Sequence, residues 1–179
     1  MTQKYAGACI SALLCLCLIG CAAVGEDYFS YRERGFCAEV EGVMRGVAFS
    51  AIVWMERVEG GYQVKVCYLL PLRLKGLTLS ATCDDKGLPC GEARLSWEEG
   101  ESCVDAAVVE GLLMPISVFL IDGEVATVRY EGKCCDLTLD DGTTLMLGED
   151  GAPRRLQGEK IAMDVRWLEW SSYANLVKK

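Results

Sequence analysis

From residue 36 to residue 168 the chain alternates apolar with polar residues at a period of two, and glycine- or proline-bearing turns interrupt the alternation at short intervals. Successive side chains of a strand leave opposite faces, so such runs bury one face and wet the other; a helix cannot satisfy that pattern. Phe36, Ala38 and Val40 alternate with Cys37, Glu39 and Glu41. Val47, Phe49, Ala51, Val53 and Met55 make one face of a second run, whose other face carries Ile52 and Trp54. After the Gly60-Gly61 turn, Tyr62, Val64, Val66 and Tyr68 alternate with Gln63, Lys65 and Cys67, which predicts a hairpin. Pro71 ends that strand because it has no N–H for the ladder.

The pattern continues through Leu77, Leu79 and Ala81, an acidic turn at 84–89, and Ala93, Leu95 and Trp97, with residues 97–101 read as a charged turn. Runs at 125–131, 134–140 and 143–147 follow, separated by Gly132-Lys133 and Asp140-Asp141-Gly142, and residues 148–153 form a further turn. In the last run Ile161, Met163, Val165 and Trp167 face one way, and Ala162, Asp164, Arg166 and Leu168 the other. One segment, 105–121, breaks the period: Val108, Val109, Leu112, Leu113, Ile116, Phe119 and Leu120 recur at spacings suited to helical turns. Asp105 is placed to cap it, and Pro115 divides it or starts its second part. About eight or nine short strands with one helical interruption predict an α+β, mainly β domain: a curved antiparallel sheet with one or two short helices covering its concave face.

The N-terminal end reads differently. Lys4 precedes an uncharged, mostly apolar run of 14 residues at 6–19, too short for the roughly 20 that a membrane span needs. Leu18-Ile19-Gly20-Cys21 follows and resembles the lipobox of bacterial lipoproteins. The spacing has a chemical reason: the Cys21 thiol accepts a diacylglyceryl group as a thioether, and the small Gly20 admits the signal peptidase to the bond between them. The expected organisation is a signal peptide at 1–20, cleaved between Gly20 and Cys21; a lipidated N-terminus and tether at 21–35; a single domain at 36–170; and a tail at 171–179. One acyl chain anchors only marginally, at about 0.8 kcal/mol per buried CH₂, whereas the two of a diacylglyceryl cysteine hold durably. The expected location is therefore the extracytoplasmic face of a cell membrane. Ala22 rather than aspartate follows Cys21, so an outer membrane is open in a cell that has two.

The formal charge is −8, and removing Lys4 with the leader makes the remainder more acidic. That sign argues against nucleic acid as a partner and against docking of the folded surface on anionic head groups. No histidine is present, which removes the commonest general base and metal ligand. The acidic clusters at 98–101 and 140–142 read as solvated turns without a calcium-loop pattern. No catalytic residue, metal ligand or cofactor is predicted. Seven cysteines follow Cys21: Cys37, Cys67, Cys83, Cys90, Cys103, Cys134 and Cys135. Cys83 and Cys90 flank the 84–89 turn and form a candidate disulfide; the other reading is that all seven pack as free, small hydrophobes. The aromatics Trp54, Tyr62, Tyr68, Trp97, Trp167 and Trp170 serve either the core or the lining of an open apolar cavity.

The phrase Pro71-Leu72-Arg73-Leu74-Lys75-Gly76-Leu77-Thr78-Leu79 comes after a hairpin that carries Gly46-Val47-Ala48-Phe49-Ser50-Ala51. An acidic turn, a helix-like segment, paired strands and a last strand entered through Pro153-Arg154-Arg155-Leu156 complete the order. Over residues 36–170 this resembles small envelope lipoproteins of clostridia-like bacteria within the LolA-like group, which includes the lipoprotein carriers. The resemblance implies a half-barrel whose helices lid a concave face, and in characterised relatives that face holds acyl chains or other hydrophobic cargo. No individual ligand residue carries over. A lipid on Cys21 departs from a soluble shuttle and implies a fixed receptor, chaperone or sensor. Two functional expectations stand: a hydrophobe-binding lipoprotein, or an interaction lipoprotein with a closed core that binds an envelope protein. A contiguous apolar cavity beside 105–121 separates them.

Overall fold

The computed structural model describes residues 28–121 and 123–170; Gly20, Cys21 and the expected tail lie outside them. The alternating runs form β1 (Phe36–Met44), β2 (Val47–Val58), β3 (Gly61–Leu70), β4 (Thr78–Cys83), β5 (Pro89–Trp97) and β6 (Gly100–Asp105). After the helical segment come β7 (Val125–Glu131), β8 (Cys134–Leu139), β9 (Thr144–Leu147), β10 (Pro153–Gln157) and β11 (Ile161–Trp170). Every described pairing is antiparallel, in one unclosed, curved sheet of order β6-β5-β4-β3-β2-β1-β11-β10-β9-β8-β7. Each half is thus a meander, and the two halves are sewn together at β1–β11. Gly42 sits on this seam: a Cβ there would collide with the Ala162 carbonyl.

One face carries the core. Phe36, Val40, Val53, Met55, Val66 and Leu79 are sealed from solvent on the first half, as are Leu137, Leu145 and Met163 on the second. Burying a side chain of this size stabilises by about 1.5–3 kcal/mol. The helical segment lies on that face as a strap, composed of 3₁₀ turns at Ala106–Leu112 and Met114–Ile116 and one α-turn, α1 (Ser117–Leu120). It connects β6 to β7, the two outer edges of the sheet, and it presses Val109, Leu113, Ile116, Val118 and Phe119 into the concavity. The Phe36 and Phe119 rings meet at 4.2 Å.

Four expectations are corrected. β6 was expected as part of a charged turn, and β10 only as the entry to the last strand. β6 is an edge strand whose side chains are mostly exposed, and β10 is short with a register slip at its start, so neither shows a clean apolar period. The expected tether reaches too far: the chain packs from Tyr28 onward, with a 3₁₀ turn at Ser30–Glu33 and Tyr31 only 2% exposed. The Tyr31 hydroxyl donates to the Val118 carbonyl at 3.4 Å, and burial pushes its pKa well above the ordinary tyrosine range. Trp167 was expected on the inner face with Val165. A bulge between Glu39/Val40 and the facing residues of β11 turns it outward, where its indole N–H donates to Glu39 at 2.8 Å and Leu168 takes the inner position.

Candidate functional site

The strap is built as its sequence requires. The Asp105 carboxylate accepts from the Ala107 N–H at 2.9 Å, capping the first turn. Pro115 stands inside the second turn, where it is buried. The hydroxyl of Tyr68, from the middle of the sheet, donates to the Leu112 carbonyl and pins the strap from below.

A second element reaches it from the side. In the turn between β4 and β5, one Asp84 carboxylate oxygen accepts from the N–H groups of Lys86 and Leu88, both at 2.9 Å. This bends the chain so that Gly87 adopts a φ of +79°, and a Cβ on it would stand 2.9 Å from the Leu120 Cβ. Glycine is required twice over, by the left-handed backbone and by the close approach. Arg57 braces the same turn: it pairs with Asp85 at 2.7 Å and Glu33 at 3.6 Å, and its guanidinium lies over the Tyr62 ring.

Between this turn, the strap and the second half of the sheet a cavity of about 310 Å³ opens to the surface. Leu88 and Pro89 form one wall, and Leu113, Met114, Leu120 and Ile121 of the strap form the roof. Leu156 and Ile161 close the far side. Polar groups are confined to Lys86, Glu110 and Thr143. A concave, mainly aliphatic space with a few polar groups is the form of a hydrophobic ligand site, near the small end of the usual range.

The aromatic residues do not line it. Tyr62 and Tyr68 are core, Trp170 packs edge-on against Phe36, Trp54 is half-buried on the outer face, and Trp97 and Trp167 are exposed. The sequence did not bring the cavity residues together because they come from four separate segments, at 86–89, 110–121, 143 and 156–161. A signal was present in the 84–89 turn, where Gly87-Leu88-Pro89 places two apolar residues beside a turn glycine.

None of the seven described cysteines forms a disulfide. The register sets Cys83 opposite Pro89 and Cys90 opposite Thr82, so the two candidates do not face each other: Cys83 is buried, while Cys90 is exposed and donates to the Thr82 carbonyl. A packing role holds fully only for Cys83, whose thiol burial pushes up to about 12. Cys37 is raised to about 11 by burial and by the charge of Glu169. Among the described residues no group of three or more His, Cys, Asp or Glu side chains is arranged to hold a metal, and no helix is long and apolar enough to cross a membrane.

No family model matches the chain. No curated protein matches it either. Solved structures do share its architecture. It is similar to an uncharacterized conserved protein from Thermus thermophilus, at 14% identity and a TM-score of 0.53, over 86% of this chain and 90% of that one. Weaker likenesses are to a putative outer membrane lipoprotein-sorting protein domain from Vibrio parahaemolyticus (8% identity, TM-score 0.42, 81% and 90% covered) and to MucB in complex with MucA (14%, 0.40, 82% and 54%). At these identities the likeness concerns the fold alone: a mainly β, unclosed antiparallel sheet with few short helices.

Proposed function

We propose that the chain is a non-enzymatic lipoprotein, held by a lipid on Cys21 at the extracytoplasmic face of a membrane, that takes an acyl chain or similar hydrophobic ligand into the cavity beneath the strap. In this reading residues 1–20 are removed, the domain begins at Tyr28 and runs to Trp170, and residues 171–179 are a tail. The observation that carries it is the aliphatic opening between the 84–89 turn and α1, at the place where the two functional expectations diverge. The lipobox at Leu18-Ile19-Gly20-Cys21 supports the anchor.

The test uses protein extracted from membranes. Native mass spectrometry should find a lipid that co-purifies, and N-phenyl-1-naphthylamine should bind with enhanced fluorescence. Ile161→Glu, at the half-exposed far wall, should abolish both while leaving the fold intact. Cys21→Ser should release the protein from the membrane fraction. Absence of lipid and of probe binding in the unaltered protein would falsify the ligand site, and an unmodified Cys21 would end the anchor.

A second reading draws on a specific observation: Val118 and Phe119 are fully sealed and already fill the middle of the concave face. An interaction lipoprotein with a closed core would bind an envelope protein and give neither lipid nor probe signal.

A further inference from the structure

The face opposite the strap holds a second concavity that the proposed lipid site does not use. It is a trough of about 590 Å³ crossing β2 to β6. Its shape follows from side-chain length. On β4, the middle strand, only the short Ser80 and Thr82 project into it, and the register slips between them. Trp54 and Lys65 rise on one side, and Glu92 and Arg94 on the other. Five strands at their usual spacing make the trough about 19 Å long, running across the strands.

Three properties narrow the occupant. Lys65 and Arg94 balance Glu56 and Glu92, so the trough has no net formal charge in a chain that is otherwise acidic. It therefore lacks the positive potential that a polyanion requires. The backbones of β2 to β5 are paired on both sides, so only side chains are offered. An extended peptide gains its main-chain bonds along a free sheet edge, and the edge on β6 lies at the end of the trough and at right angles to its length. The groups on offer are carboxylates, a guanidinium, an amide and two hydroxyls beside an indole. Lys65 lies over the Trp54 ring at 5.3 Å, so a ligand face that stacks on this indole takes the place of the flexible lysine ammonium.

A chain of sugar rings meets all three conditions. Its C–H faces stack on an indole, its neighbouring hydroxyls donate to carboxylates and accept from a guanidinium, and it is neutral and elongated. We infer that the β2–β6 trough binds a linear, uncharged oligosaccharide, with Trp54 as its stacking platform.

The experiment titrates the full-length protein, held in lauryldimethylamine oxide to avoid sugar head groups, with chitotetraose and cellotetraose. Tryptophan emission should change saturably at millimolar sugar. Trp54→Ala should weaken binding by about tenfold or more, and Ser80→Tyr, which fills the trough floor, should do the same. Both variants should keep the melting temperature and the naphthylamine probe binding of the parent, so that failure here is distinct from failure of the lipid site. No saturable response of the parent to either sugar, or a calorimetric affinity in both variants equal to that of the parent, overturns the inference. So does a peptide of alternating lysine and glutamate that saturates the signal where the sugars do not.

Discussion

The Tyr68 hydroxyl on β3 donates to the Leu112 carbonyl of the strap at 2.7 Å, joining residues far apart in sequence across the floor of the concave face. Tyr68 is almost wholly buried, and burial holds its phenol above the ordinary tyrosine range, so it remains a donor. Tyr68→Phe should lower unfolding stability by about 1 kcal/mol, since it leaves the Leu112 carbonyl without this donor. Urea denaturation measures the loss, and hydrogen exchange should show faster opening of residues 106–113 than of β2. Unchanged exchange there would mean that the strap is held by apolar contact alone.

Gly87 positions the wall of the cavity through its contact with Leu120. Gly87→Val should cost about 1–3 kcal/mol, because it places a branched residue at positive φ and against a fixed neighbour. Probe binding should fall as well, because the turn must move off α1. A variant that keeps both stability and probe affinity would show that the turn is free to shift.

Thiol reactivity should divide the cysteines by burial. With iodoacetamide at about pH 8.5, Cys90 and Cys103 should alkylate in the native protein, while Cys83 should need denaturant, having neither access nor thiolate character. Peptide mass spectrometry reads the sites. Labelling of Cys83 at the rate of Cys90 would place it outside the core.

Alkaline pH should destabilise the fold. The Cys83 thiol ionises near about 12 when folded against a reference of 9.0, and Tyr31 and Tyr68 are also raised. A raised folded pKa means that the contribution is fully present below the unfolded value and declines as pH climbs from there towards the folded value. The urea midpoint should therefore be flat up to about pH 8 and drop by about pH 10.5, with a smaller drop in Cys83→Ala. An identical midpoint at both pH values would show that these groups meet solvent in the native state.

The strands with one apolar face were legible because a buried face and a wet face impose the period directly. Phe36, Ala38 and Val40, or Phe49, Ala51, Val53 and Met55, go inward as the alternation requires. Asp105 and Pro115 located the strap for equally local reasons. Trp167 was misplaced because a bulge shifts the phase by one residue, and no rule of alternation contains a bulge. β6 was lost because an edge strand on the rim buries little and has no apolar face to show. The lining of the cavity was not legible as a set: Leu88, Met114 and Ile161 become neighbours only through the pairing of β1 with β11 and the passage of the strap between the two edges.

That seam has a consequence for the timing of assembly. Within β1–β6 and within β7–β11, adjacent strands pair with their neighbours in sequence, so both meanders grow by local hairpins. Joining Phe36 to Trp170 must instead wait for the last strand to arrive. Closing so long a loop is slow rather than costly at equilibrium, since each doubling of its length adds only about 0.6 kcal/mol. A chain synthesised from its N-terminus thus has its first half able to fold while its joint is still unmade. Until β11 follows, the inner edge of β1 is an open template for any passing strand, and the final ten residues of the sheet act as the latch that ends the exposure.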